Sequence, residues 1–271
     1  MPQNEYQELV NRNLGLLTES QQETLRKAVA AVFGLGGLGG VIAEILTRSG
    51  IGGFKIVDRD KFEPTNLNRQ IFSFRDTLGR LKTDVSEEFL KKINPGIRIE
   101  KFTEVSNANI DKILQGVNIA LLAIDSAEPC IIISRACRKL GIPLVEGWAI
   151  PFGNVRVFTK DTPSLEEVYH LPTLSKDINS FSQEDIQKLK LHMLETLKRI
   201  DGIKGFYPPL AIERILKGEI TSFAPLVWLT AVLMSLEAIK ILLNWGKVSL
   251  SPNFSLYNPF SQQIPKTGVK R

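Results

Sequence analysis

Residues 28–40 read Ala28-Val29-Ala30-Ala31-Val32-Phe33-Gly34-Leu35-Gly36-Gly37-Leu38-Gly39-Gly40. The apolar run over 28–33 reads as a short buried strand, and the glycines after it permit a tight turn. Gly34, Gly36 and Gly39 fit G-x-G-x-x-G, with Gly37 inside the pattern. Glycine lets backbone N–H groups come close to a phosphate, and the helix that follows presents its positive end to that anion. The spacing predicts this helix through Arg48, closed by Gly50, and then a second strand over 54–57 ending in Asp58-Arg59-Asp60. Strand, glycine turn, helix and strand make a βαβ unit, the context in which such glycines signify a nucleotide rather than a packing turn. Asp58 stands at about the 20-residue distance expected of a carboxylate that accepts hydrogen bonds from ribose hydroxyls. Asp60, beside it, is a second candidate.

The alternation continues outward. A polar loop at 61–80 leads to an amphipathic helix over 82–93, stopped by Asn94-Pro95-Gly96. Strands are predicted at 97–102 and 118–124, the latter nearly all apolar and so expected at the sheet centre. A helix over 129–140, a strand beginning at 143–145 and an added, antiparallel strand at 154–158 complete the pattern. This predicts an α/β fold: a Rossmann-like, mostly parallel sheet with helices on both faces and a helical C-terminal extension. Upstream, residues 1–27 are polar, with Thr18 or Ser20 as the cap of a helix ending at Lys27. Beyond 160 the pattern changes. Residues 161–182 read as loop, and 183–200 as a helix with Ile186, Leu189, Met193, Leu197 and Ile200 on one face. Residues 201–222 are interrupted by Gly and Pro, 226–244 form a long apolar helix, and 254–257 read as one more strand. The expected organisation is 1–160 as a nucleotide-binding domain with an N-terminal helical arm, and 161–271 as a divergent insert and C-terminal helix packing on the same domain.

Composition narrows the class. With 271 residues, 43% of them hydrophobic, the chain can bury a sizeable core, and its net charge of +5 is mild. No basic block reads as a nucleic-acid stripe; Lys266-Thr267-Gly268-Val269-Lys270-Arg271 reads as a solvated tail, and nucleic acid is not indicated as a partner. The start, Met1-Pro2-Gln3-Asn4-Glu5, has no apolar stretch of a signal peptide, so a cytoplasmic location is expected. Pro225, Glu237 and Lys240 interrupt the apolar stretch at 223–243, which favours a core or interface helix over a membrane span. The two cysteines, Cys130 and Cys137, fall two turns apart on one apolar helix, a spacing unsuited to a disulfide, and a reduced compartment fits. With His170 and His192 alone and no Cys-x-x-Cys, a structural zinc site is not expected.

The glycine turn and Asp58 suit NAD and ATP alike. The next segment separates them: Asn66-Leu67-Asn68-Arg69-Gln70, then Arg80 and Lys82. A dinucleotide pyrophosphate resting on a helix terminus needs no such cluster of cations, whereas a triphosphate does. Arginine grips phosphate oxygens in bidentate fashion and lysine acts as a point charge. Lys82 also falls at a helix start, where its charge opposes the dipole, which points to an anionic partner. Asp125 follows the apolar strand at the sheet edge where open α/β folds bind ligands. It is placed to hold Mg²⁺, or to cap the helix after it through Asp125-Ser126-Ala127-Glu128.

These residues together resemble the ThiF/MoeB/HesA group, related to the adenylation domains of ubiquitin-activating enzymes. The matching motifs are Val32-Phe33-Gly34-Leu35-Gly36-Gly37-Leu38-Gly39, Val57-Asp58-Arg59-Asp60, Asn66-Leu67-Asn68-Arg69-Gln70, Gly79-Arg80-Leu81-Lys82, Ile93-Asn94-Pro95 and Ala123-Ile124-Asp125-Ser126. The resemblance covers 9–158 and resumes at 224–243. It implies that Asp58 binds ribose, that Asn66, Arg69 and Lys82 hold phosphates, and that Asp125 supports Mg²⁺; Gln70 matches the motif without a firm role. It implies homodimers in which an N-terminal arginine, here Arg12, reaches the partner's ATP. The implied reaction is ATP-dependent activation of a substrate carboxylate as an acyl-adenylate, with release of pyrophosphate. The carboxylate would belong to a small carrier protein, a peptide C-terminus or a modified nucleotide such as one in tRNA. The sequence departs from better-known members in having no paired Cys-x-x-Cys motifs and no cysteine after Cys137. A nucleophile carried by the substrate is therefore expected to attack the adenylate directly. Two other readings are a non-catalytic partner subunit of the same fold and an NAD-dependent oxidoreductase; the second leaves Arg69 and Lys82 unexplained.

Overall fold

The computed structural model describes residues 3–149, 153–199, 208–217, 219 and 221–260. Two helices lead in, α1 (Gln3–Val10) and α2 (Glu19–Lys27), followed by β1 (Val29–Phe33), α3 (Gly37–Arg48) and β2 (Gly53–Val57). Next come α4 (Lys82–Ile93), β3 (Arg98–Phe102), α5 (Ile110–Leu114), β4 (Ile119–Leu122) and α6 (Ala127–Leu140). The chain continues through β5 (Leu144–Trp148), β6 (Asn154–Phe158), α7 (Leu165–Val168) and α8 (Gln183–Lys198) to α9 (Pro209–Leu216), α10 (Ala224–Leu243) and β7 (Ser255–Leu256).

The strands form one sheet in the order β3-β2-β1-β4-β5-β6-β7. Strands β1 to β5 run parallel, while β6 and β7 are antiparallel additions. Strand β4 lies at the centre and is buried throughout, as its apolar sequence predicts. Between β1 and β4 the strand order reverses, and ligands of open α/β sheets bind at the carboxyl ends of strands beside such a switch.

Alternation along the strands sorts the core into two layers. Ala30, Val32, Ile56, Leu121 and Val145 face α3, α4 and α10. Ala31, Phe33, Val57, Ala120, Leu122 and Leu144 face α6, α7 and α8. Local signals fix several boundaries. Thr18, not Ser20, caps α2: its Oγ1 accepts the Gln21 N–H at 3.2 Å and Gln21 Oε1 accepts the Thr18 N–H at 2.9 Å, a reciprocal capping box. Helix α6 ends where Gly141 takes φ +70°, a left-handed turn suited to glycine.

The later segments are more ordered than their sequence suggests. The stretch at 161–182 contains α7, capped by Ser164, and the stretch at 201–222 contains α9. Helix α6 begins at Ala127, two residues before the expected start at Pro129, with Ser126 at its N-cap and no side-chain capping bond there. On α8, Leu189 and Met193 are buried and Ile186 packs against the same cluster; Leu197 and Ile200 lie outside the described side chains. Among the described residues, α10 is long and apolar enough to cross a membrane by length and composition. Here it packs along α3 and over β5 and β6. Its Glu237 is buried and accepts bonds from Lys240 at 2.6 Å and from the Ser249 N–H at 3.1 Å.

One buried polar cluster stands between β5, β6 and α7. Glu146 accepts the Tyr169 hydroxyl at 2.9 Å and lies 3.4 Å from Arg156 Nε. The Arg156 guanidinium sits over the rings of Tyr169 and Phe254, at 5.2 and 5.3 Å from their centroids. Burial raises the Glu146 carboxyl above its ordinary value, while the charge of Arg156 works against that rise.

Candidate functional site

Gly34 ends β1 with φ +89°, and a Cβ there would lie 2.6 Å from the Ala123 carbonyl oxygen at the end of β4. A Cβ on Gly39 would strike the Gly34 carbonyl oxygen. These two glycines let the turn close between β1 and β4. Gly36 differs: the nearest atom to its missing Cβ is Gln70 Nε2, at 3.7 Å, so a Cβ there would meet only ordinary contact with that side chain. Gly36 caps α3 without a side-chain hydrogen bond, which leaves the first N–H groups of that helix available to an anion.

Asp58 closes the turn from the β2 side. Its Oδ2 accepts the Leu35 N–H at 2.7 Å and its Oδ1 accepts the Asp60 N–H at 2.8 Å. Lys82 opens α4 with a side chain only 7% exposed, its Nζ 3.0 Å from Asp60 Oδ2 and 4.0 Å from Asp58 Oδ2. The anionic partner that its position at a helix start demands is thus supplied by the end of β2, and Lys82, Asp58 and Asp60 form one group. Arg80 is not part of it; it pairs with Glu88 on the surface of α4.

The loop at 64–70 forms the other wall. Asn66 is buried and serves its own turn, accepting the Glu63 N–H at 3.1 Å. Arg69 is half-buried and lies across the glycine turn, its Cγ 3.3 Å from where a Gly37 Cβ would stand. Its Nη1 donates to Thr65 O at 3.0 Å and to Asn68 Oδ1 at 2.8 Å. Burial pulls the guanidinium below its ordinary value, and the charge of Asp125 works the other way. Gln70 is buried, and its Oε1 has no hydrogen-bond partner. Asp125 is exposed just beyond β4, within electrostatic reach of Arg69.

A phosphate-bearing ligand fits this arrangement. The uncapped helix start and the half-buried Arg69 offer donors that phosphate oxygens would accept, whereas the buried Gln70 Oε1 is an acceptor and calls for a donor instead. Among the described residues no cluster of three or more His, Cys, Asp or Glu could hold a metal. A metal at Asp125 would take its remaining ligands from phosphate and water, as Mg²⁺ does.

The structure brings together Gly34, Gly36, Gly37, Gly39, Asp58, Asp60, Arg69, Gln70, Lys82 and Asp125, with Asn66 shaping the loop beside them. Arg12 stands apart. It is exposed, and its neighbour Asn13 bonds to Ser49 O at 3.4 Å, at the far end of α3. A groove of about 400 Å³ between α1, α3 and α4, lined by Leu9, Arg48, Phe72 and Phe89, contains none of the site residues. Sequence reading missed Val227 and Trp228, which α10 brings against Gly37 and Arg69. The signal was Gly37 itself, a glycine that G-x-G-x-x-G does not require.

Cys130 and Cys137 are both buried, and burial pushes the Cys137 thiol up to about 12. Only the thiolate is nucleophilic, so at pH 8 the folded protein is expected to resist iodoacetamide, with both thiols labelled on addition of denaturant. Equal rates for native and denatured protein would contradict this burial.

Fold and site together define a doubly wound α/β protein of the nucleotide-binding kind. The chain belongs to the ThiF family, whose model matches residues 10–271. It is 28% identical to the sulfur carrier protein adenylyltransferase of Thermus thermophilus over 92% of this chain and 82% of that one. It is 26% identical to the molybdopterin-synthase adenylyltransferase of Haemophilus influenzae over 90% of this chain and 86% of that one. To the tRNA threonylcarbamoyladenosine dehydratase of Escherichia coli it is 36% identical, but over 48% of this chain and 49% of that sequence. The crystal structure of that dehydratase in complex with ATP superposes with a TM-score of 0.53 at 32% identity, covering 55% of this chain and 63% of the other.

Proposed function

We propose that the protein is an ATP-dependent adenylyltransferase that activates a substrate carboxylate. A carboxylate oxygen attacks the α-phosphorus of ATP, the bond to the bridging α–β oxygen breaks, and pyrophosphate leaves with that electron pair. The step needs no covalent nucleophile from the protein; positioning and charge stabilisation suffice. The observation that carries this reading is Arg69 lying across the glycine turn at the uncapped start of α3, with Asp58 joining that turn to Lys82 at the end of β2. Asp58 would hold the ribose, the N–H groups after Gly36 the phosphates, and Arg69 and Lys82 the charge of the leaving pyrophosphate. Asp125 would hold Mg²⁺, which neutralises phosphate charge when bound.

The two relatives matched along most of their length are named for carrier-protein and molybdopterin-synthase adenylylation, which supports a small protein or peptide C-terminus as the acyl substrate. The half-length likeness to the tRNA-modifying dehydratase supports a carboxyl on a modified nucleoside as the second choice. With both cysteines buried in α6, the nucleophile that consumes the adenylate is assigned to the substrate side. A homodimer is proposed through α10, whose Trp228, Val232 and Leu236 form an exposed apolar stripe at helical spacing. The cytoplasm is the proposed location.

Arg69→Ala and Lys82→Ala are each expected to lower ATP affinity and pyrophosphate exchange roughly 10- to 100-fold, the worth of one charge-assisted hydrogen bond. Little change in melting temperature is expected for Arg69→Ala and a lower one for Lys82→Ala, which leaves the buried Asp58 carboxylate without its cation. Calorimetric titration with Mg-ATP and, in parallel, NAD⁺ tests the reading directly. Mg-dependent ATP binding without NAD⁺ binding supports it; NAD⁺ binding without ATP binding sinks it.

A further inference from the structure

The loop that carries Arg69 is tied to a helix 159 residues away in the chain. The Trp228 indole N–H donates to the Arg69 carbonyl at 2.8 Å, and Asn68 Nδ2 donates to the Ser222 carbonyl at 3.1 Å. Between these bonds, Val227 comes so close that a Cβ on Gly37 would lie 2.8 Å from its Cγ1. The guanidinium of Arg69 bonds only within its own loop, to Thr65 O and Asn68 Oδ1 among the contacts described. The aim of that guanidinium over Gly37 is therefore set by where the main chain at Arg69 is held, and Trp228 holds it. Trp228 is 41% exposed, and its indole N–H, the one donor of the ring, is directed to the Arg69 carbonyl.

We propose that Trp228 is a positioning residue for the nucleotide: through the Arg69 carbonyl it sets the direction in which the Arg69 guanidinium meets phosphate. The inference rests on Arg69 as a phosphate ligand. It assigns to α10 a part in nucleotide binding besides packing on α3.

The test is a double-mutant cycle on the full chain, with Mg-ATP affinity read by calorimetry for the parent, Trp228→Phe, Arg69→Ala and the double variant. Phenylalanine keeps an aromatic ring and removes the N–H. Trp228→Phe is expected to weaken ATP binding roughly five-fold, the effect of one hydrogen bond, and to add no further loss in the Arg69→Ala background. Trp228→His, which restores a ring N–H, is expected to recover most of the affinity. Equal losses in both backgrounds would overturn the proposal, since Trp228 would then act independently of Arg69. So would unchanged affinity in Trp228→Phe alongside a loss in Arg69→Ala, an outcome that leaves the adenylyltransferase reading standing. Unchanged affinity in Arg69→Ala itself would overturn both.

Discussion

An Arg12→Ala protein is expected to form acyl-adenylate roughly 10³-fold more slowly while keeping its melting temperature, the size of effect that an arginine supplied to a phosphoryl transition state exerts. Arg12 is exposed and sits on a single turn anchored to the far end of α3. Asn13 bonds there to Gln22 at 3.1 Å, and the Tyr6 hydroxyl bonds to Gly50 O at 2.7 Å. Helix α3 has 12 residues and so spans about 18 Å. Arg12 is separated from the glycine turn of its own chain by that length, beyond the reach of its side chain. In the proposed homodimer, an effect on turnover would then point to Arg12 acting on the site of a second copy of the chain. Mixing Arg12→Ala with Asp125→Ala protein tests this. In a mixed dimer one of the two sites has both residues intact, so equal mixing is expected to restore roughly a quarter of parental activity. No recovery in dimers proven to be mixed would rule out action in trans, and full activity in Arg12→Ala alone would remove the residue from the machinery.

The second large effect is on stability. Glu146→Ala is expected to cost about 3–5 kcal/mol, measured as a drop in the denaturation midpoint at constant slope, because it leaves the guanidinium of Arg156 in the core with no carboxylate beside it. Arg156 is 2% exposed, so water cannot take over that role. Tyr169 would at the same time lose the acceptor of its hydroxyl bond. Replacing both charges with apolar residues of similar volume, Glu146→Leu with Arg156→Met, is expected to recover much of the loss, since the isolated charge and not the missing pair is what destabilises. A loss below about 1 kcal/mol for Glu146→Ala would mean that Arg156 is hydrated or shifts to the surface.

Much of this was legible in the sequence because it depended on near neighbours. The run from Ala28 to Gly40 carries strand, turn and helix start in a few residues, and steric need alone selects Gly34 and Gly39. The central place of β4 follows from its lack of polar residues, and the start of α4 at Lys82 from amphipathic spacing. What escaped depends on contacts between distant segments. Lys82 called for an anion, yet nothing in its spacing named Asp60 and Asp58 as the partners that meet it. The clasp of Asp58 on the Leu35 N–H needs β1 and β2 side by side before it exists. Helix α9 and the cap at Ser164 were hidden because short helices rely on tertiary support more than on their own periodicity. Val227 and Trp228 were read as two apolar residues of a core helix, and only folding shows that one touches the glycine turn and the other holds the loop of Arg69.

The packing of α10 on α3, β5 and β6 also bears on how the chain is made. In synthesis the glycine turn emerges well before α10. Until α10 emerges, β5, β6 and the flank of α3 lack the helix that packs on them, and the loop of Arg69 lacks the bond from Trp228. A truncated product would therefore be a sticky species unable to handle nucleotide, open to chaperones and proteases. With Arg69 as the phosphate ligand proposed above, competence for ATP would follow the synthesis of α10, not that of the glycine turn.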